Sequence, residues 1–148
     1  LWAIILIAVL FGAGILALIL TMVTRIAHKT EAAWRNENPN EKVILYANGC
    51  NCASFPGEKI NLRGNGLLVL TPNALHFWMW SPQKRLRIPI YNLLTADVVK
   101  SFAGRWGRLP MLHILFRDDT GSSYETAWSV TGAPRWVEEI LSIKKTEN

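Results

Sequence analysis

Residues 1 to 24 contain no charged side chain, and this constrains the chain more than any other feature. The run from Leu1 to Val23 is apolar almost throughout, and Thr21 is its first polar residue. As a helix it reaches roughly 35 Å at about 1.5 Å per residue, enough to cross a hydrocarbon core of about 30 Å with some tilt. A secretory signal peptide has an apolar region of only about 7–15 residues, followed by small residues for cleavage. This run is longer and lacks that pattern. No polar face interrupts it, which argues against the core helix of a soluble fold. The expectation is a single-pass transmembrane helix over residues 1–24, with Trp2 at one membrane end.

Charge begins at Arg25 and continues with Lys29, Arg35 and Lys42, whereas no base precedes the span from Leu1 onward. By the positive-inside rule the C-terminal part faces the cytoplasm, and a bacterial inner membrane is the expected location. Residues 25–41 read as a helical continuation followed by a linker. Trp34 suits either the headgroup level or a contact with the following domain. Asn36-Glu37-Asn38-Pro39-Asn40 then ends the helix.

From residue 42 to about 146 the pattern changes to short runs rich in β-branched and aromatic residues. The expected strands are Val43–Ala47, Gly66–Thr71, Ala74–Trp80, Lys84–Ile90, Leu94–Ser101, Met111–Arg117 and Ser123–Val130. Turn residues separate them, as in Thr71-Pro72-Asn73, Ser81-Pro82-Gln83 and Asp118-Asp119-Thr120-Gly121. Leu112, Ile114 and Phe116 alternate to one face, as do Leu75, Phe77 and Met79. Gly66-Leu67-Leu68-Val69-Leu70 is apolar on both faces, so this strand is expected to be central or covered. The last element is helical, with Pro134 in its first turn and Lys144-Lys145 at its C-terminal end. The fold class is therefore one transmembrane α-helix plus a mainly-β domain. About seven antiparallel strands form a bent barrel or sandwich, closed by a C-terminal helix.

Particular stretches resemble the pleckstrin-homology superfold in its GRAM and bacterial PH-like branches. They are Gly66-Leu67-Leu68-Val69-Leu70-Thr71 leading to Leu75-His76-Phe77, then Arg87-Ile88-Pro89-Ile90, then Leu112 to Asp119, and Ala133-Pro134-Arg135-Trp136 opening the last helix. The resemblance implies a strongly bent seven-stranded sheet with the helix plugging one end. It also implies a binding role, for lipid headgroups, peptides or partner proteins, rather than catalysis. The phosphoinositide signature of the family, a Lys followed by Lys/Arg-x-Arg across the first hairpin, is not matched. That region offers only Lys59 and Arg63, and Lys84-Arg85-Leu86-Arg87 lies on a later hairpin.

The net charge of +5 is unevenly spread. Lys59, Arg63, Lys84, Arg85, Arg87, Lys100, Arg105, Arg108 and Arg117 face a single acid, Asp97, across the middle of the chain. On a tethered domain such bases are attracted to an anionic leaflet; solvated strand edges that discourage edge pairing are the plainer explanation. Phe102 to Pro110 reads as an unusual hairpin loop in which Arg105, Trp106 and Arg108 form an aromatic and cationic surface. Seven tryptophans are many for this length. Trp136 is expected in the core. Among Trp78, Trp80, Trp106 and Trp128, some are expected on a contact surface.

The partner- or lipid-binding candidates are thus Lys84, Arg85, Arg87, Arg105, Trp106, Arg108, Trp78 and Trp80. Ala8, Gly12, Ala13 and Ala17 are small residues at four-residue spacing that let a second helix approach the span. The sequence holds no Gly-x-Ser-x-Gly, no phosphate-binding Gly-rich loop and no His-Glu-x-x-His. His28, His76 and His113 are scattered, and Cys50 and Cys52 are too close for an unstrained disulfide. No catalytic residue, metal, cofactor, nucleic acid or small-molecule substrate is expected. The expected partners are membrane lipids and integral proteins of a larger complex, for example respiratory, photosynthetic or transport. The expected function is that of an adaptor or accessory subunit, or alternatively of a lipid-headgroup-binding module.

Overall fold

The computed structural model describes residues 1–146 and, at Arg108, the backbone alone. Its first element is one unbroken helix, α1, spanning Trp2–Glu37. It is long and apolar enough over its N-terminal part to cross a membrane, and none of that stretch is buried by the rest of the chain. Thr21 and Thr24 return their hydroxyls to the carbonyls of Ala17 and Leu20, so neither leaves a free donor on the apolar surface. The helix ends where Asn38 precedes Pro39: the Asn38 N–H and side-chain amide both donate to the Trp34 carbonyl. Pro39 then disfavours helical geometry at the residue before it.

Seven antiparallel strands follow: β1 (Leu45–Cys52), β2 (Gly64–Leu70), β3 (Ala74–Met79), β4 (Lys84–Pro89), β5 (Leu93–Phe102), β6 (Arg105–Arg117) and β7 (Ser123–Ser129). They form one sheet in the order β4-β3-β2-β1-β7-β6-β5. β4 and β5 are its two edges, so the sheet bends into a sandwich rather than closing into a barrel. The hinge of that bend is narrow. β1 meets β7 only through Asn51 opposite Ser129 and Cys52 opposite Trp128. Helix α2 (Ala133–Thr146) packs on β5 and β6, burying Trp136 and Ile140 against the inner faces. Lys144 donates to the Leu93 carbonyl and fixes the end of the helix.

The core is made by the alternation that marks the strands. Leu68 and Leu70 of β2, Leu75 and Phe77 of β3, Leu112 and Ile114 of β6 and Trp128 of β7 all point inward. The Phe77 and Trp128 rings are 5.6 Å apart and bridge the two halves. Gly66 is required here, because a Cβ would lie 2.3 Å from the Trp78 carbonyl oxygen and 2.8 Å from the Phe77 ring. Cys50 and Cys52 are free thiols on the inner face. Burial pushes the Cys52 thiol up to about 11 and the Cys50 thiol higher still, so both stay protonated and inert at neutral pH.

Two segments differ from the sequence expectation. β1 runs past Ala47 to Cys52, because a bulge at Gly49 (φ +87°) absorbs one residue and returns Cys50 to the core. Phe102 to Pro110 is not an open loop. Ala103 (φ +51°) and Gly104 (φ +73°) form a two-residue turn between Phe102 and Arg105, the twist that suits a tight hairpin. The extra residues, Gly107 to Pro110, bulge out of β6 before pairing resumes at Met111.

Candidate functional site

The outer face of β2 and β3 is covered by α1, and this contact creates the most distinctive surface of the molecule. Trp34 is 2 % exposed and packs on Leu67, Val69 and Trp78, flanked by Ala33 and Val43. This explains why β2 is apolar on both sides. His76 meets the Trp34 ring edge-on with centroids 5.5 Å apart. Polar contacts secure the helix on either side of the tryptophan. The Asn48 amide donates to the Ala27 carbonyl at 3.0 Å, and Arg85 pairs with Glu37 at 2.8 Å. Both partners in the ion pair are half-exposed, so it contributes only about 0–1 kcal/mol, and the buried indole dominates the docking.

Trp34 and Asn48 also fix direction. The chain passes from Val43, beside Trp34, into β1 and on to Asn48, beside Ala27, and so β1 runs toward the apolar end of α1. β3 does the same, from His76 beside Trp34 to Met79 and then Trp80 just past its end, both of which share a groove with Ile26 and Lys29. The β3–β4 turn therefore sits at the end of the sheet nearest the apolar run. Beyond Asn48, Asn51 bonds both Asn65 and Arg105, and Arg63 donates to the Ala103 carbonyl. These bonds brace the β5–β6 hairpin tip on β1 and β2.

Between α1 and the β3–β4 hairpin lies a groove of about 590 Å³. Among the described residues Lys29, Lys84 and Arg85 are its charged lining residues, and no carboxylate lines it. Lys84 reaches back to Glu58 at 2.6 Å, and the Arg85 guanidinium lies 3.8 Å over the Trp78 ring. The expected candidates Lys84, Arg85, Trp78 and Trp80 thus come together here. Trp78 is not an open surface indole, since it is buried beneath Arg85 and Trp34. Trp128 is fully buried as well. Trp80 is half-buried, and its Nε1 has no acceptor among the described residues.

The other candidates lie elsewhere. Arg105 and Trp106 are on the β5–β6 hairpin, where Arg105 is engaged by Asn51 and Trp106 is 81 % exposed. The side chain of Arg108 is outside the described residues. Arg87 faces His76 across β3 and β4 and borders a second cleft of about 350 Å³, with Tyr91, Arg117 and Tyr124. Ala8, Gly12, Ala13 and Ala17 remain on the bare surface of α1. Lys29 and Asn48 were not singled out by sequence reasoning. Lys29 was counted only as an orientation charge, and nothing in a strand Asn signals a bond to a distant helix.

His76 gives the docking a pH dependence. Burial holds its imidazole below the usual range near about 6.5, the Arg87 guanidinium adds to the effect, and Glu41 opposes it. The neutral ring is therefore the form that the folded state favours. Its contribution is complete above the unfolded value and falls as pH drops through the window down to the lowered folded value. Stability should decline as pH falls below the usual histidine value of about 6.5, and His76→Phe, which keeps an aromatic edge against Trp34, should reduce that decline. Equal declines in both proteins, measured by chemical unfolding in micelles, would reject the role.

The Asp118 side chain, by contrast, is spent on its own turn. Its Oδ1 accepts from the Thr120 hydroxyl and from the Thr120 and Ser122 N–H groups, and the Thr120 bond in particular holds the carboxyl below its usual range. Asp118-Asp119 is thereby a hairpin turn. Among the described residues no cluster of three or more metal-ligating side chains occurs.

No family model matches the sequence, and no curated protein does. Solved structures do share the fold. The C-terminal domain of an unknown protein from Leishmania infantum is 17 % identical, with a TM-score of 0.50 over 77 % of this chain and 96 % of that one. The hSac2 domain from the human phosphoinositide phosphatase Sac2 is 12 % identical, with a TM-score of 0.54 over 82 % of each chain. At such identities the likeness is one of architecture alone.

Proposed function

We propose that the chain is a single-pass membrane protein whose C-terminal domain, PH-like in the manner of the GRAM and bacterial PH-like branches, lies on the cytoplasmic side. It acts there as a non-enzymatic adaptor or accessory subunit on a larger membrane complex. One observation carries the reading: α1 runs without a break from its apolar part into the Trp34 contact with the sheet. A domain on a flexible linker samples every orientation, whereas one clamped to its own helix presents a fixed face at a fixed height. Fixed presentation suits docking on a neighbouring protein, because the orientational entropy of binding is largely lost in advance. The exposed Trp106 on a braced hairpin supplies an aromatic anchor of the kind that dominates interfaces.

The test is gentle detergent extraction of the native membrane, followed by size separation and identification of what comigrates. A defined large complex containing the chain is expected. A lone 17 kDa species that persists under the mildest extraction would reject the accessory-subunit reading. A second reading, lipid-headgroup binding, is favoured by the carboxylate-free groove beside α1.

A further inference from the structure

We propose that the groove between α1 and the β3–β4 hairpin holds the headgroup phosphate of an anionic phospholipid, with Lys29 and Lys84 as its principal anchors. The proposal rests on the reading that α1 crosses a membrane. Depth is the first argument. Lys29 follows Thr24 by five positions, about 7–8 Å at about 1.5 Å per residue. A bilayer with a core of about 30 Å and a total thickness of about 40–45 Å has a headgroup band of about 5–8 Å on each side. Lys29 therefore stands in that band when the uncharged run fills the hydrocarbon.

Charge is the second argument. Among the described residues the lining contains Lys29, Lys84 and Arg85 without a carboxylate. Lys29 has no ion pair among the described residues, and the partners of the other two, Glu58 and Glu37, lie outside the groove. Exposed pairs of this kind are weak and readily exchange one anion for another. Arg85 is already held over the Trp78 ring, so its side chain is positioned at the groove before any phosphate arrives.

The third argument is amphipathic continuity. Ile26 is 42 % exposed at the groove's edge and continues the bare apolar surface of α1, along which acyl chains run. Trp80 places a half-buried indole in the same groove, at the level that interfacial tryptophans favour. A free phosphate would use the cations but not this apolar edge. The site thus fits a lipid, and it differs from the first hairpin, where Lys59 and Arg63 lie.

Native mass spectrometry of the full chain released from nanodiscs tests this. The discs contain phosphatidylcholine with a minor fraction of phosphatidylglycerol. The wild-type chain should retain phosphatidylglycerol in preference to phosphatidylcholine. At about fivefold per cation, the double variant Lys29→Gln/Lys84→Gln should retain roughly ten- to thirtyfold less. Arg117→Gln/Lys145→Gln removes the same charge at the opposite end of the sheet, away from the groove, and should retain wild-type amounts. Unreduced retention in the groove variant, or equal loss in the control, overturns the proposal. A chain that enters the discs without lipid preference overturns the groove alone, whereas one that fails to enter them overturns the membrane reading too. An acidic subunit that comigrates in native extracts and is lost from the groove variant, with lipid retention unchanged, overturns it in favour of a protein ligand.

Discussion

Replacing Trp34 by alanine is expected to release the domain from α1 while leaving the sheet folded. The indole is almost wholly buried against Leu67, Val69 and Trp78, and its neighbours are strand residues that cannot collapse into the space left behind. Truncating a buried Trp costs about 3–5 kcal/mol. Since about 1.4 kcal/mol is tenfold in an equilibrium, the undocked fraction should rise by roughly two orders of magnitude or more. The remaining pins are the Asn48–Ala27 bond and the exposed Arg85–Glu37 pair, which together cannot replace it. Trypsin reports undocking directly, through cleavage at Arg35 in the last turn of α1 and at Lys42 on the segment between helix and sheet. Faster cleavage there, with an intact domain fragment, is the expected outcome. Unchanged cleavage would mean that the helix is held by something other than this tryptophan.

Trp128→Ala should fail in the opposite way. This ring fills the core between the two halves of the sheet, next to Phe77 and close to the narrow β1–β7 junction. Its removal carries the same cost of about 3–5 kcal/mol, but here it falls on the cooperative unfolding of the domain. A domain of this size has only about 5–15 kcal/mol in total, so the variant should unfold at markedly lower denaturant or temperature. Helix α1 does not depend on that core, and its far-ultraviolet helical signal in micelles should survive. Loss of both signals together would show that helix and sheet fold as one unit, whereas unaltered stability would contradict the packing around Trp128.

The contrast between these two tryptophans shows where sequence reasoning works. Strand positions were legible because Leu75, Phe77 and Met79, or Leu112, Ile114 and Phe116, alternate with period two, and because Pro72, Pro82 and Gly121 mark the turns between strands. The end of α1 was legible from Asn38-Pro39, and α2 from Pro134 and its closing lysines. Which tryptophan is covered was not legible, since the covering groups come from distant elements: Trp34 from α1 and Arg85 from β4 bury Trp78. Trp34 itself was open to two readings, headgroup or domain, and only the long-range approach of the helix selects the domain.

The extension of the β5–β6 hairpin to a tight turn at Ala103-Gly104 was illegible for a different reason. Arg, Gly and Pro are poor strand formers, but Arg105 is tied to Asn51 and Arg63 to the Ala103 carbonyl, so tertiary pairing overrides local preference. The same holds for Asn48 to Asn51, which pair with β2 across a glycine bulge. The groove combines both difficulties. Lys29 and Lys84 are far apart in sequence, and each alone looks like an ordinary solvated charge.

The central claim is that α1 and the sheet form one rigid body, so that the domain is presented at a fixed height. Pulsed electron resonance between nitroxides at His28→Cys and Thr95→Cys, on the full chain in nanodiscs, tests it most directly. Both positions are exposed, and the native Cys50 and Cys52 are buried with raised thiols, so they do not compete for label. A single narrow distance distribution that broadens in Trp34→Ala is the expected result. A broad distribution in the wild-type chain would contradict the claim and leave the domain a loosely tethered one.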